Sequence, residues 1–278
     1  MTESSPPLAG VVGWPIGHSL SPKLHGHWLR RYGIPGHYVP LAVAPNDFDE
    51  AIRTLPKLGF RGVNITIPYK QRVLQVADNI SDRAALIGSA NTLIFRENGG
   101  IYADNTDGYG FIENLRQYAP DWSAKSGPCL VLGAGGAARA IISALLSDGA
   151  PEVRIANRTR QRAVALKEAY GARITVVDWN RGADAMEGAM TIVNTTSLGM
   201  TGQPELNISF TRAHGAALAT DIVYAPLRTP FLQEAASIGL RTVDGLGMLL
   251  HQAAPGFRQW FDQAPEVDDE LRRAVLAE

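Results

Sequence analysis

The sequence predicts an α/β protein made of two domains, and three observations carry that prediction. Its 278 residues exceed the roughly 150 of an average domain. Apolar runs of strand length alternate with helical periods along almost the whole chain, as in sheets covered by helices. In the second half the apolar run 129–132 breaks at Gly133-Ala134-Gly135-Gly136-Ala137-Ala138 and passes into a helix-compatible stretch, 140–146.

In chain order, residues 8–12, 38–43 and 63–67 read as strands. Helices open between them at Ser21-Pro22 and at Asn46. Ser21 is placed as an N-cap and Pro22 at the first helical position, where a missing N–H costs nothing. Strands at 92–95 and 101–103 flank Glu97-Asn98-Gly99-Gly100, a hairpin turn. A helix over 109–118 leads into 120–128, whose polar, proline-flanked composition reads as a linker. Strands at 129–132, 153–156, 174–177, 190–194 and 218–223, spaced by helices, predict a doubly wound parallel sheet. Residues 247–260 and 268–276 are helical by period.

The glycine segment has the G-x-G-x-x-A spacing of a dinucleotide fingerprint, and it stands in the strand–turn–helix setting that fingerprint needs. Gly133 permits the tight turn, Gly135 lets a pyrophosphate approach the backbone, and Ala138 lets helix and strand pack closely. Gly136 and Ala137 then open a helix whose free N–H groups and dipole favour phosphate. In NAD-binding versions a carboxylate about 20 positions on bonds the ribose 2′-hydroxyl. Here the strand ends in Asn157-Arg158-Thr159-Arg160-Gln161-Arg162, with no carboxylate. Arg158 can fork onto a 2′-phosphate, with Arg162 one turn later on the same face, and Thr159 can cap the helix that follows. This pattern favours NADP over NAD.

Composition removes other classes. A net charge of −1 gives no electrostatic footprint for nucleic acid. The stretch 1–10 has no basic or apolar region of a secretory signal, and no apolar run is long enough to cross a bilayer. One cysteine, Cys129, allows neither an internal disulfide nor a cysteine metal cluster, and the six histidines have no metal-ligand spacing. The expectation is a cytoplasmic protein acting on a small molecule, without metal or membrane, as a monomer or homodimer.

Polar clusters close several strands of the front half: Gly13 to Pro22, Asn64 to Lys70, Asn91-Thr92 and Asp104 to Gly108. Taken with their order along the chain, they make the sequence resemble the shikimate/quinate dehydrogenase family from about residue 8 to 260. The family's N-P-I-x-H-S-x-S-P is matched by 14–22, its N-V-T-x-P-x-K by 64–70, and its G-A-x-N-T by 88–92. D-N-T-D-G is matched by 104–108, N-R-T-x-x-R by 157–162 and D-G-L-G-M by 244–248. Departures are Trp14 for the usual asparagine, Ile65 for the valine, Ser89 inside the third motif, and Tyr69 before the lysine.

The resemblance implies an N-terminal substrate domain over 1–106, an NADP domain of Rossmann type over 107–245, and C-terminal helices, 246–278, returning to the first. It also implies a polyhydroxylated cyclohexene carboxylate as substrate. Ser19, Ser21 and Tyr224 would hold its carboxylate, the amides Asn64, Asn91 and Gln252 with Asp107 its ring hydroxyls, and Thr66 would also contact it. Lys70 and Asp107 would be the catalytic pair, while Asp82, Ile222 and Gly245, with Ala134 and its neighbours in the glycine loop, would meet the nucleotide. A lysine ammonium is a reasonable proton donor to an incipient alkoxide; a nearby carboxylate favours its charged form and burial its neutral form. Alternatives are a quinate/shikimate dehydrogenase of wider cofactor use and a non-catalytic NADP- or shikimate-binding regulator. The serine pair and D-N-T-D-G do not fit a methylenetetrahydrofolate dehydrogenase.

Overall fold

Residues Leu8–Gly13 form β1 of a six-stranded sheet in the computed structural model, which describes residues 6–277. Residues 1–5, half of the N-terminal stretch read above, lie outside the described residues. Chain contacts divide the protein into two compact units, Met1–Thr106 with Leu250–Glu278, and Asp107–Leu249.

In the first unit β1 is followed by α1 (Ser21–Arg31), β2 (His37–Ala42), α2 (Phe48–Thr54) and β3 (Phe60–Ile65), then β4 (Asn79–Ile80), α3 (Asp82–Ile87), β5 (Thr92–Phe95) and β6 (Ile101–Asp104). The strand order is β2-β1-β3-β5-β6-β4. β1 lies parallel to β2 and β3, whereas β5 runs antiparallel to β3 and β6, closing the hairpin at Gly99. Val12, Val63, Ile65 and Leu93 pack with Phe48, Ile52 and Tyr69 in one core cluster.

Two local expectations give way here. Leu20, not Ser21, flanks α1; Ser21 is its first residue, and no side chain caps it. The Ser19 hydroxyl accepts the Ser21 N–H instead (3.3 Å), so the Ser21 hydroxyl is not spent on its own helix. The helix expected at Asn46 opens as a single 3₁₀ turn, Pro45–Asp47, before α2.

The second unit contains α4 (Asp107–Tyr118), β7 (Cys129–Leu132), α5 (Gly136–Ser147), β8 (Val153–Ala156), α6 (Arg160–Tyr170) and β9 (Ile174–Val177). β10 (Thr191–Asn194), β11 (Leu218–Asp221), α7 (Pro230–Ser237) and β12 (Arg241–Val243) complete it. Its six strands are all parallel, in the order β12-β11-β10-β7-β8-β9. Successive residues of β7 point to opposite faces. Cys129 and Val131 join Phe111, Ile141 and Leu145, while Leu130 and Leu132 join Met186, Phe210 and Phe231. Burial on both faces explains why these strands read as unbroken apolar runs.

The segment expected as a linker is part of this core. Trp122 is buried and its indole N–H donates to Thr191 Oγ1 (2.9 Å), and Ala124 is fully enclosed. Its polar residues face outward, which hid two buried positions from a reading by composition.

α8 (Leu246–Phe261) is one continuous helix, and α9 (Asp269–Leu276) follows it. The division between units falls at Leu250, inside α8, rather than at residue 246. The later turns of α8 seal the first unit: Trp260 donates its indole N–H to Leu93 O (3.0 Å), and Phe257 packs against Trp28.

Candidate functional site

The glycine loop closes β7 and opens α5. Gly133 has φ +113°, and a Cβ there would stand 2.6 Å from Thr195 Oγ1, so both conformation and space require glycine. Thr195 in turn donates its hydroxyl to Leu132 O (2.7 Å). Gly135 precedes α5 with no side chain capping the helix, and a Cβ at Gly135 or Gly136 would meet nothing within 4 Å. The first N–H groups of α5 therefore border open space, a cradle that suits a diphosphate. Ala134 and Ala138 are buried beneath it and Ala137 is half-buried.

Beyond β8, Asn157 donates its side-chain amide to Thr159 O (2.7 Å) and shapes the turn. Thr159 flanks α6 but makes no side-chain cap, contrary to expectation; its backbone, held by Asn157, sets the entry instead. Arg158 lies on the loop before α6 rather than on one helical face with Arg162. Both are exposed, and neither has a carboxylate partner among the described residues, whereas Arg160 between them pairs with Asp178. Two guanidinium groups without counter-charges beside an open helix N-terminus fit a nucleotide carrying an extra phosphate.

At the other side of β7, the Ile222 N–H donates to Asn194 O (3.1 Å), and a Cβ on Gly245 would stand 2.5 Å from the Ile222 carbonyl. Tyr224 is half-buried, and burial pushes its phenol up from its ordinary value. Asp107, the first residue of α4, is buried.

In the first unit, strand ends assemble the remaining predicted residues. The Thr66 N–H donates to Val12 O (3.0 Å) and the Trp14 N–H to Ile67 O (3.1 Å), so the segment bearing Ser19 and Ser21 leaves beside the one bearing Thr66 and Lys70. The Ala90 N–H donates to Lys70 O (2.7 Å), tying that segment to Asn91. Asn64 donates to Asn91 O (3.1 Å) and Thr92 Oγ1 (3.3 Å). Asn91 donates to Thr106 Oγ1 (2.9 Å) and Gln252 Oε1 (3.0 Å), and its Oδ1 accepts the Thr106 N–H (2.9 Å). The structure thus gathers Asn64, Asn91 and Gln252, whose positions span most of the chain, into one buried network. Such networks hold their members in fixed orientations when every polar atom is satisfied. Asp82 is exposed at the start of α3.

Sequence reasoning missed three kinds of residue here. Tyr38 donates its hydroxyl to Asn64 Oδ1 (2.7 Å) from inside β2, where nothing in the pattern marks it as polar machinery. Thr106 links Asn91 to the returning helix through Gln252 O (2.8 Å). Asp104 is an anchor: it accepts from Ser81 Oγ (2.6 Å), from the Asn105 N–H (2.8 Å) and from the guanidinium of Arg83. Burial alone would raise its carboxyl, but those donors outweigh burial and hold it below the ordinary value. Its place within Asp104-Asn105-Thr106-Asp107-Gly108 was the one signal available for it.

Family models meet the chain in three places. The shikimate dehydrogenase substrate-binding domain matches residues 11–93, shikimate/quinate 5-dehydrogenase matches 116–202, and the shikimate 5′-dehydrogenase C-terminal domain matches 245–276. A curated relative from Paracoccus denitrificans, described as shikimate dehydrogenase (NADP(+)), is 60% identical over 99% of this chain and 98% of its own length. The chain belongs to the shikimate dehydrogenase family. Among solved structures, shikimate 5-dehydrogenase from Thermus thermophilus, in complex with NADP(H) and shikimate, superposes with a TM-score of 0.86 at 35% identity, covering 96% of this chain and 98% of that one. Quinate dehydrogenase from Corynebacterium glutamicum, in complex with NAD, does so with 0.89 at 30% identity, covering 97% and 98%.

Among the described residues no group of three or more His, Cys, Asp or Glu side chains could hold a metal ion, and no helix is long and apolar enough to cross a membrane.

Proposed function

We propose that this chain is an NADP-dependent shikimate dehydrogenase, catalysing the reversible reduction of 3-dehydroshikimate to shikimate. The observation that carries the reading is the pair of guanidinium groups, Arg158 and Arg162, that have no carboxylate partner among the described residues, on a chain that matches NADP-dependent relatives end to end. The buried network around Asn91 supports the substrate side.

Each ring hydroxyl of such a substrate both donates and accepts, so its loss of water must be matched by groups of both kinds. Asn64, Thr66, Asn91, Asp107 and Gln252 provide that mixture, and the hydroxyls of Ser19, Ser21 and Tyr224 donate to the ring carboxylate. The network fixes Asn64, Asn91 and Gln252 in advance, so these three have little freedom left to lose on binding. Bound NADPH supplies the hydride that adds to the carbonyl carbon. The carbonyl oxygen then needs a proton, which the Lys70 ammonium donates; in the reverse direction neutral Lys70 takes it from the hydroxyl. By the family resemblance, Asp107 would be the catalytic partner of Lys70.

Initial rates of nicotinamide reduction, with shikimate or quinate paired against NADP or NAD, test the reading. Turnover with shikimate and NADP alone is the expected result. Comparable rates with quinate or NAD would move the chain to the broader group, to which the quinate dehydrogenase above is the structural pointer. A folded protein that binds NADP and turns over none of the pairs would be a regulator.

A further inference from the structure

Asp221 is a carboxylate that the chemistry above does not use, yet it is completely buried at the C-terminal end of β11. Its Oδ1 accepts from Asn194 Nδ2 (3.0 Å) and from the Val223 N–H (2.9 Å), and its Oδ2 accepts from the Thr229 hydroxyl (2.7 Å). All three donors are neutral, and Asp221 has no ion pair among the described residues. Without a counter-charge, burial raises the carboxyl to about 6, although the three donors pull the other way.

These partners close on one short stretch of backbone. Asn194 ends β10, and its carbonyl receives the Ile222 N–H (3.1 Å) while its amide reaches Asp221. Its Oδ1 accepts the Thr196 N–H (3.0 Å), on the loop whose Thr195 walls the glycine turn. Thr229 caps α7 by accepting the Leu232 N–H (3.3 Å) and donates to Asp221. Gly245 lies against the Ile222 carbonyl, leaving no room for a Cβ. The Ile222 N–H and the Val223 N–H are therefore each held by a hydrogen bond, and the Ile222 carbonyl lies against Gly245.

We propose that Asp221 is a positioning residue for the cofactor, holding the Ile222–Val223 peptide in the orientation that receives the nicotinamide end of NADP. This rests on the assignment of NADP to the second unit. A buried carboxylate suits the task because two oxygens can gather three donors from β10, the segment after β11 and the start of α7 at once. An asparagine can do nearly the same: its Oδ1 keeps Asn194 and Val223, and its Nδ2 can donate to Thr229 Oγ1. Alanine keeps none.

Calorimetric titration with NADP and steady-state kinetics with shikimate, on the wild type, Asp221→Ala and Asp221→Asn, test this. The alanine variant is expected to raise the NADP Kd and KM about tenfold, with the shikimate KM changed less than about twofold. The asparagine variant is expected to stay within about threefold of wild type. Thr229→Val, which removes one donor, reads the same tie with a smaller rise if the alanine variant does not fold. Wild-type NADP affinity in the alanine variant overturns the proposal. So does an equal loss in the asparagine variant, or a shikimate KM that rises as much as that for NADP. A wild-type chain that binds no NADP overturns the cofactor reading itself, and this proposal with it.

Discussion

The Tyr38 hydroxyl donates to Asn64 Oδ1 at 2.7 Å, and both residues are buried. Through that bond β2, a strand with no assigned substrate residue, sets the direction of an amide proposed to meet a ring hydroxyl. The Tyr38 ring is itself stacked on His25, with centroids 3.8 Å apart and planes 3° from parallel. Asn64 is thus oriented by a group that is locked in turn by packing, the arrangement that keeps a binding group from drifting.

Tyr38→Phe keeps the ring and removes the donor, leaving Asn64 Oδ1 short of a partner in a buried site. An unmet buried acceptor costs about 1–3 kcal/mol. The expected outcome is a melting temperature lower by several degrees and a shikimate KM raised several-fold, with kcat less affected. Thermal unfolding and steady-state kinetics check both; an unchanged KM would confine Tyr38 to stability.

Lys70→Ala should lower kcat by about 10²–10⁴ with a much smaller change in KM, because the proton transfer acts only as the alkoxide develops. Asp107→Asn should also lower kcat. A near-normal kcat for the lysine variant would remove Lys70 from the chemistry, and an effect of Asp107→Asn on KM alone would make it a binding residue.

Among the described residues Arg158 and Arg162 stand without carboxylate partners, while Arg160 is paired with Asp178. Arg158→Ala should therefore weaken NADP far more than NAD, whereas Arg160→Ala should affect the two cofactors alike. A ratio of NADP to NAD affinity unchanged by Arg158→Ala would assign the extra phosphate to other groups.

The glycine loop was readable in advance because its requirement is local: Gly133 needs a positive φ that only its own backbone expresses. The parallel sheet of the second unit followed from unbroken apolar strands. Most α-helices were legible by period, but their starts were not. The caps expected at Ser21 and Thr159 are absent: Ser21 lies inside α1 with Ser19 accepting its N–H, and Thr159 makes no side-chain cap while Asn157 donates to its carbonyl. Tyr38, Thr106 and Asp221 escaped for a different reason. Their partners lie 26, 146 and 27 positions away, and periodicity carries no information about such pairings. Asn64, Asn91 and Gln252 were named through family resemblance, and only the fold shows that they share one network.

Two buried titratable groups should give opposite pH responses. His25 is fully buried among Trp28, Tyr38, Phe257 and Trp260; burial lowers it to about 3 from 6.5, outweighing the opposing effect of Asn64. Because its folded value is depressed, the unfolded chain binds the proton more readily, and stability is lost as pH falls below 6.5. Asp221 is raised to about 6 from 3.8, so the folded chain binds the proton more readily and stability is lost as pH rises between those values. Between pH 7.5 and pH 5 the wild type should lose about 2 kcal/mol through His25 and regain about 1 kcal/mol through Asp221. His25→Phe keeps an aromatic ring against Tyr38 but cannot ionise, so its stability relative to wild type should improve on acidification. Asp221→Asn should fall relative to wild type over the same interval. Denaturant unfolding of the three proteins at the two pH values checks both signs. A His25→Phe difference that is the same at pH 5 as at pH 7.5 would mean that the folded and unfolded chains bind the His25 proton equally well.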